Sequence, residues 1–280
     1  MTYEYEGQRG PKLSVPIGAT DTHMHIYEPG YPMAPTALLS PPSGELADYK
    51  KVQQRLGLER VVIVQPTTYG TDNSCTLDTM AKVGSSSRGV VAVDTLVSDQ
   101  DLQILTDKGI TGLRFHMLPG GALPWEILGE MANRINNFGW HIQLQLDGRE
   151  LPHHINEVNN LPCPLVIDHV GKFLEPVDPD DEAFRMMLGL VESGAWVKLS
   201  AAYETSRIGA PYFDDVAILA NYFIAAAPER MLWASNWPHP GQSPRPDDAV
   251  LMDTLLNWVD NDALRRKILV DNPAELCGFK

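Results

Sequence analysis

The chain has 280 residues, of which 44% are hydrophobic, so it is long enough for a sizeable core and fits one α/β barrel domain. Its net charge of −14 comes from acidic residues scattered along the chain, and this excludes nucleic acid as an expected partner. Three widely spaced cysteines, no leader-like start and no apolar run of membrane-spanning length predict a soluble, cytoplasmic protein with reduced thiols and no membrane partner.

The first segment, residues 1–18, is predicted to be an irregular arm. It contains Pro11, Pro16 and three glycines, and its apolar residues follow neither a helical nor a strand period. Residues 19–280 are predicted to form a single domain.

From residue 19 onward, runs of apolar and β-branched residues recur eight times. They lie at 19–25, 60–65, 89–94, 111–116, 140–146, 164–169, 195–200 and 231–236. Segments with apolar residues at helical spacing separate them, such as Phe184, Met187, Leu188 and Val191. Strand alternating with helix predicts a parallel sheet, and eight such units predict a (β/α)₈ TIM barrel, with a doubly wound open sheet as the alternative.

Polar residues are concentrated where the predicted strands end. Both architectures bind ligands beyond the carboxyl ends of their strands. The residues near these ends include Asp21, His23, His25, Thr67, Thr68, Arg114, Gln145, Asp168, His169, Lys198, Asn236 and His239. A buried strand does not need such groups for stability, so we expect a functional pocket here rather than separately hydrogen-bonded core residues.

Three histidines at the strand ends raise the question of a metal. His23 and His25 are two residues apart and so face the same side of the first strand, while His169 ends the sixth. Because neutral imidazole is a common zinc ligand, the residues alone leave a metal site open. The eighth strand ends in Asn236, an amide that neither titrates nor acts as a base.

These motifs resemble the amidohydrolase superfamily. The D-T-H-M-H of 21–25 and the D-H of 168–169 carry the general resemblance. More specifically, V-I-V-Q-P-T-T-Y-G-T-D-N, G-L-R-F, V-I-D-H and W-P-H-P resemble the branch that contains 2-pyrone-4,6-dicarboxylate lactonase. The match runs from about residue 17 to Pro273, and it implies a TIM barrel that acts on a lactone.

The resemblance also bears on the metal. Metal-dependent members of the superfamily add a histidine on the fifth strand and an aspartate on the eighth. The matching positions here carry Gln143 or Gln145 and Asn236. Since the lactonase branch works without metal, the resemblance implies that this protein uses no metal and no other cofactor.

Asn236 also bears on the reaction. In the lactonases an aspartate at this position is taken to activate water, so its replacement argues against hydrolysis. An amide suits acyl transfer between two hydroxyls of one molecule, because intramolecular attack gains roughly 7 kcal/mol or more from effective molarity. We expect an isomerase similar to those of this branch that convert D-galactaro-1,5-lactone into the 1,4-lactone in galactarate catabolism. The alternatives are a lactonase with a histidine base, a metal-dependent amidohydrolase, and an inactive barrel that binds a sugar acid.

Substrate binding is expected from residues on several strands. Arg114 is a charge in an apolar strand and requires a partner, either a substrate carboxylate or a structural carboxylate. By resemblance Arg114 matches a carboxylate-binding residue, and Arg207 is a second candidate clamp. Thr67, Thr68 and Gln145 are candidates for binding substrate oxygens, unless they serve a turn, a helix cap or the barrel interior.

The predicted catalytic residues are His23, His25, His169, Asn236 and His239. We expect His23, with His25 or His169, to polarise the lactone carbonyl. His25, His169 and His239 are all candidates for the general base, because histidine titrates near neutral pH. Asn236 is expected to orient a substrate hydroxyl. The sequence makes no prediction of the oligomeric state.

Overall fold

Eight parallel strands wind into a barrel in the computed structural model, which describes residues 9–38 and 40–280. They are β1 Thr20–Met24, β2 Arg60–Val64, β3 Ser87–Val91, β4 Ile110–His116, β5 His141–Gln145, β6 Leu165–Ile167, β7 Trp196–Leu199 and β8 Met231–Trp233. Each strand pairs with the next one along the chain, in the order β1 to β8. The predicted (β/α)₈ TIM barrel is confirmed.

Helices follow the strands and cover the outside of the barrel. They are α1 Leu46–Leu56, α2 Ser74–Val83, α3 Asp99–Asp107, α4 Leu128–Asn136, α5 Leu151–Val158, α6 Glu182–Glu192, α7 Asp214–Ala226 and α8 Asp248–Trp258, then α9 Asp262–Arg266, a π-helical turn Lys267–Asp271 and α10 Asn272–Cys277. Local sequence explains their starts. Asp181, for example, caps α6 by accepting hydrogen bonds from the backbone N–H groups of Ala183 and Phe184. No helix in the described part of the chain is long and apolar enough to cross a membrane.

The residues of each strand alternate between two environments. Ile142 and Leu144 of β5 belong to the apolar core together with helix residues such as Phe184, and all three are almost fully buried. Gln143 lies between them in sequence and points to the opposite face, into the barrel. There it meets Lys198 of β7, whose Nζ donates to Gln143 Oε1 at 2.6 Å. The barrel interior is therefore polar near the carboxyl ends of its strands.

The barrel is closed between its first and last strands by contacts that involve site residues. Asn236 N donates to His23 O at 2.9 Å, and His25 N donates to Trp237 O at 2.8 Å. We call residues 21–25 and 233–237 together the seam. The segment after β8 thus supplies part of the closure.

The predicted arm lies only partly within the described chain. Residues 1–8 are outside the described residues. Residues 9–18 contain neither a helix nor a strand.

Candidate active site

A cavity of about 470 Å³ opens at the carboxyl ends of the strands. Seven of the predicted site residues line it: His25, Thr67, Thr68, Arg114, Gln145, His169 and Asn236. His23, His239 and Arg207 do not. The size suits a small organic ligand.

Arg114 is the buried cation of this cavity. Its guanidinium donates from Nη1 to Gln65 O at 2.7 Å and from Nη2 to Gln145 Oε1 at 3.0 Å. No carboxylate among the described residues forms a salt bridge with it, although the residue is only 6% exposed. A buried guanidinium held by neutral acceptors retains its attraction for an anion, so Arg114 is suited to bind a ligand carboxylate.

The amide of Asn236 has a defined orientation. Its Nδ2 donates to the Tyr203 hydroxyl at 2.9 Å and to Glu204 Oε1 at 3.2 Å. The reverse orientation would place the amide oxygen against the Glu204 carboxylate and is therefore disfavoured. The group left for a ligand is Oδ1, which accepts a hydrogen bond.

His239 lies behind this amide, not in the cavity. Its Nε2 is 2.9 Å from Asp248 Oδ1 and its Nδ1 is 2.9 Å from the Tyr203 hydroxyl. Burial raises the pKa of Tyr203 well above its usual value, so the hydroxyl stays protonated and donates to Nδ1. The order of donors thus runs from Asn236 through Tyr203 and His239 to Asp248. This placement does not support His239 as the base and makes it a support for Asn236.

His23 and His25 form a hydrogen bond with each other. Their Nε2 atoms are 3.2 Å apart, and His25 Nδ1 lies 2.8 Å from Val64 O, so Nδ1 carries the proton of His25. His23 then donates from Nε2 to His25. Burial lowers the pKa of both rings well below the usual value, so both are neutral. His23 is fully buried and does not line the cavity. Its predicted role as a donor to the lactone carbonyl requires contact with the cavity, so the structure does not support that role.

His169 has one nitrogen available to a ligand. Its Nδ1 is 2.8 Å from Ser200 Oγ, and within the described chain Nε2 has no hydrogen-bond partner. Burial lowers its pKa well below the usual value, so the ring is neutral. His169 has a positive φ of 57°, unusual for a residue other than glycine, and it lines the cavity from this conformation.

A buried cluster beneath the cavity decides whether a divalent metal fits. His23, Asp168 and His169 are a group of potential ligands whose atoms lie within 4.8 Å of one another. Lys198 Nζ already lies 3.2 Å from Asp168 Oδ1 and 3.1 Å from His23 Nδ1. Burial raises the pKa of Asp168, but the charge of Lys198 is the largest opposing effect, and the pKa lies well below the usual value. The ammonium group thus neutralises the carboxylate a metal would need, and these residues do not fit a divalent cation.

Arg207 is not brought to the cavity. Its side chain is 68% exposed and pairs with Glu175, a carboxylate that is itself 54% exposed. The backbone N–H of Arg207 donates to Asp215 Oδ2 at 2.7 Å, which fixes the loop in this position. The structure does not support Arg207 as a second carboxylate clamp, and the residue of this region that lines the cavity is Glu204.

Glu204 and Lys172 are cavity residues that were not predicted from the sequence. Both line the cavity and pair with each other, Lys172 Nζ with Glu204 Oε2. Glu204 follows β7 in the short helical turn Ala202–Glu204, four residues beyond the last predicted strand residue. Its position shortly after the end of β7 is the sequence signal for Glu204, because residues that follow barrel strands carry function in this fold.

Thr67 and Thr68 begin the short helical turn Thr67–Tyr69 that follows β2. Both residues line the cavity. Asp72, further along the same loop, caps α2 by accepting from Ser74 N at 3.0 Å. The residues of this loop that line the cavity are therefore different from the one that accepts from the first N–H of α2.

His23 on β1, His25 just after it and His169 after β6 all lie at the carboxyl ends of the barrel strands, and it is at this end that TIM-barrel enzymes carry their active sites. The family model described as amidohydrolase matches residues 20–279. The chain belongs to this amidohydrolase family.

Individual relatives are similar over almost the whole chain. A D-galactarolactone isomerase from Agrobacterium fabrum (strain C58) is 37% identical over 273 residues, which cover 95% of this chain and 93% of the relative. A 2-pyrone-4,6-dicarboxylate hydrolase from Comamonas testosteroni is 32% identical over 286 residues, 97% of this chain and 94% of the relative. An apo crystal structure of an Agrobacterium tumefaciens protein is 36% identical, has a TM-score of 0.91 and covers 97% of this chain and 99% of its own.

Proposed function

We propose that this protein is a cytoplasmic, metal-independent isomerase that converts D-galactaro-1,5-lactone into D-galactaro-1,4-lactone in galactarate catabolism. The observation that carries this proposal is the fixed amide of Asn236 in a cavity that also contains Arg114, a buried arginine without a salt bridge to any described carboxylate. The similarity to a D-galactarolactone isomerase supports the choice of lactone.

Arg114 binds the free carboxylate of the lactone. The substrate has one free carboxylate beside its ring, and the cavity offers one arginine. A guanidinium matches the planar carboxylate and forms charge-assisted hydrogen bonds to it. This contact fixes C5, the carbon that bears both the free carboxylate and the oxygen that leaves the lactone carbonyl.

Asn236 and His169 hold the reacting part of the molecule. Asn236 Oδ1 accepts a hydrogen bond from a substrate hydroxyl and so orients the carbon chain. Ser200 Oγ lies 2.8 Å from His169 Nδ1, and in the proposed arrangement the hydroxyl donates to Nδ1, so that the ring proton is on Nε2 and faces the lactone carbonyl. That proton stabilises the negative charge that develops on the carbonyl oxygen as the hydroxyl attacks.

A lactone hydrolase is the second candidate, because the cavity also contains the Glu204 carboxylate. A carboxylate can deprotonate water, which Asn236 cannot do. The similarity to a 2-pyrone-4,6-dicarboxylate hydrolase points in the same direction.

Proton NMR of freshly prepared D-galactaro-1,5-lactone with the chelator-treated protein separates the two functions. Isomerisation predicts that resonances of the 1,4-lactone appear before those of the open diacid. Diacid as the first product contradicts the proposal and favours the hydrolase. The lactone without protein, followed in parallel, gives the spontaneous rates of both reactions.

A further inference from the structure

We infer that Glu204 accepts the proton of the attacking hydroxyl and returns it to the leaving hydroxyl. This inference rests on the proposed lactone isomerisation and assigns the proton transfer to a residue not among the histidines that the sequence offered. Among the described residues that line the cavity, Glu204 is the one carboxylate.

The histidines of the cavity are poorly placed to act as this base. Both nitrogens of His25 are engaged, by Val64 O and by His23. Burial, followed by the charge of Arg114, lowers the pKa of His116 to about 3. His169 also has its pKa lowered well below the usual value, mainly by burial, and so holds a transferred proton weakly. A base must hold the proton during the lifetime of the intermediate, and none of these rings meets that requirement.

Glu204 is held next to the position that a substrate hydroxyl occupies in the proposed function. Its Oε1 is 3.2 Å from Asn236 Nδ2, and its Oε2 pairs with Lys172. The carboxylate therefore sits directly beside the amide that orients the sugar chain. When Asn236 Oδ1 accepts from one hydroxyl, the hydroxyl on the next carbon lies within reach of Oε1.

Lys172 acts as a positioning residue. Its ammonium group engages Oε2, so the carboxylate cannot rotate away from Asn236 without breaking an ion pair. The Glu204 side chain is only 14% exposed and that of Lys172 only 10%, which limits the screening of this pair by water. Oε1 remains directed toward Asn236 and the cavity.

The proton balance requires only one such group. The C4 oxygen forms a bond to the lactone carbonyl carbon while its proton moves to Glu204. The tetrahedral intermediate then collapses, the bond between the carbonyl carbon and the C5 oxygen breaks, and Glu204 returns the proton to that oxygen. No water is consumed and no net charge is transferred, so one carboxylate between two neighbouring oxygens completes the cycle.

The first test is the Glu204→Gln variant, which keeps the size of the side chain and an acceptor for Asn236. We expect kcat for 1,4-lactone formation to fall by about 10²- to 10⁴-fold, because proton transfer contributes this factor, while KM changes little. Glu175→Gln is the matched control, since it also removes one negative charge from this region but lies at the surface. The control variant is expected to have the kinetics of the unmodified protein.

Rescue separates a catalytic role from a structural one. In Glu204→Ala, added formate is expected to raise kcat in a saturable manner, since a small carboxylate enters the space left by the side chain. Circular dichroism verifies that both variants fold. A folded Glu204→Gln variant with kcat within a few-fold of the unmodified protein overturns the inference, as does a folded Glu204→Ala variant that formate leaves unchanged.

The two proposals fail in different ways. If the unmodified protein releases diacid first, the isomerase proposal fails, and the Glu204 variants then report on proton transfer in hydrolysis. If the unmodified protein forms the 1,4-lactone and Glu204→Gln does so equally fast, only the assignment of Glu204 fails.

Discussion

At the scale of single residues, the buried charge of Arg114 is not explained by a contribution to stability. Burial lowers its pKa, although a guanidinium remains charged in proteins. Its hydrogen-bond partners are a backbone carbonyl, an amide oxygen and, at 3.5 Å, the Nδ1 atom of His116, and none of them is a carboxylate. A buried charge without a counter-ion is costly, so its most direct explanation is a counter-ion supplied by the ligand.

Arg114→Met is expected to weaken substrate binding strongly. Removing one member of a buried, hydrogen-bonded charge pair costs about 2–5 kcal/mol, which corresponds to a loss of roughly 30- to several thousand-fold in kcat/KM. The loss should appear in both KM and kcat, because the carboxylate is carried by C5, whose oxygen is the leaving group, so losing this contact also misplaces the reacting bond. Steady-state kinetics with the 1,5-lactone measures both constants.

Arg207→Met is the matched control for this variant. The Arg207 side chain is exposed and already paired with Glu175, so its removal should leave KM unchanged. A large increase in KM for Arg207→Met together with an unchanged Arg114→Met would restore the clamp predicted from sequence and contradict the assignment made from the structure.

At the scale of elements, Asp21 connects β1 to the segment that follows β8. Its Oδ1 accepts from Ser235 N at 3.0 Å and its Oδ2 from Ser235 Oγ at 2.5 Å and from the Tyr49 hydroxyl at 3.0 Å. Burial raises the pKa of Asp21 from 3.8 to about 6, against the lowering effect of these hydrogen bonds. The junction is therefore held by a carboxyl group that is easier to protonate in the folded state.

This raised pKa predicts how stability depends on pH. Because the folded pKa exceeds the unfolded one, the contribution of Asp21 is fully present below pH 3.8 and is lost as the pH rises through about 6. Asp21→Asn removes this dependence. Its free energy of unfolding, relative to the unmodified protein, should therefore rise by about 3 kcal/mol between about pH 4 and pH 7.5.

Urea denaturation at both pH values measures the difference. Asp180→Asn, which removes a carboxylate whose side chain is 91% exposed, serves as the control and should show no comparable change. An Asp21→Asn difference that stays constant with pH would mean that the carboxyl group of Asp21 does not titrate in this range.

The ends of two strands mark the limit of prediction from sequence at this scale. The apolar runs extend to residues 169 and 236, but β6 ends at Ile167 and β8 at Trp233. The residues beyond leave the sheet, and His169 and Asn236 take positive φ values of 57° and 59°. An apolar pattern reports which residues are buried and contains no information on such backbone turns, which aim these two side chains into the cavity.

At the scale of the whole molecule, the barrel could be predicted because the same sequence pattern is repeated along the chain. Eight apolar runs separated by helical segments define the same architecture even where individual boundaries differ. The assembly of the site depends instead on single contacts between distant loops. His239 was predicted to face the substrate, yet Tyr203 and Asp248 take up both of its nitrogens. Neither partner follows from the local sequence of His239.

The charge arrangement beneath the cavity predicts the response to chelators. Lys198 supplies a cation between His23 and Asp168, so the site does not need a metal to balance the carboxylate. Prolonged dialysis against a strong chelator should leave kcat unchanged, and metal analysis of the active protein should find far less than one ion per chain. Loss of activity that added zinc, manganese or cobalt restores would contradict this arrangement.

The seam gives ligand binding an effect beyond the cavity. Asn236 donates its backbone N–H across the seam and also lines the cavity, so in the proposed function the same residue closes the barrel and contacts the substrate. A lactone bound there favours the closed barrel by linkage, since a locally opened seam cannot bind it. Ligand binding in the cavity should therefore slow hydrogen exchange at the backbone amides of His25 and Asn236. The protein is then most resistant to local unfolding while it holds its substrate.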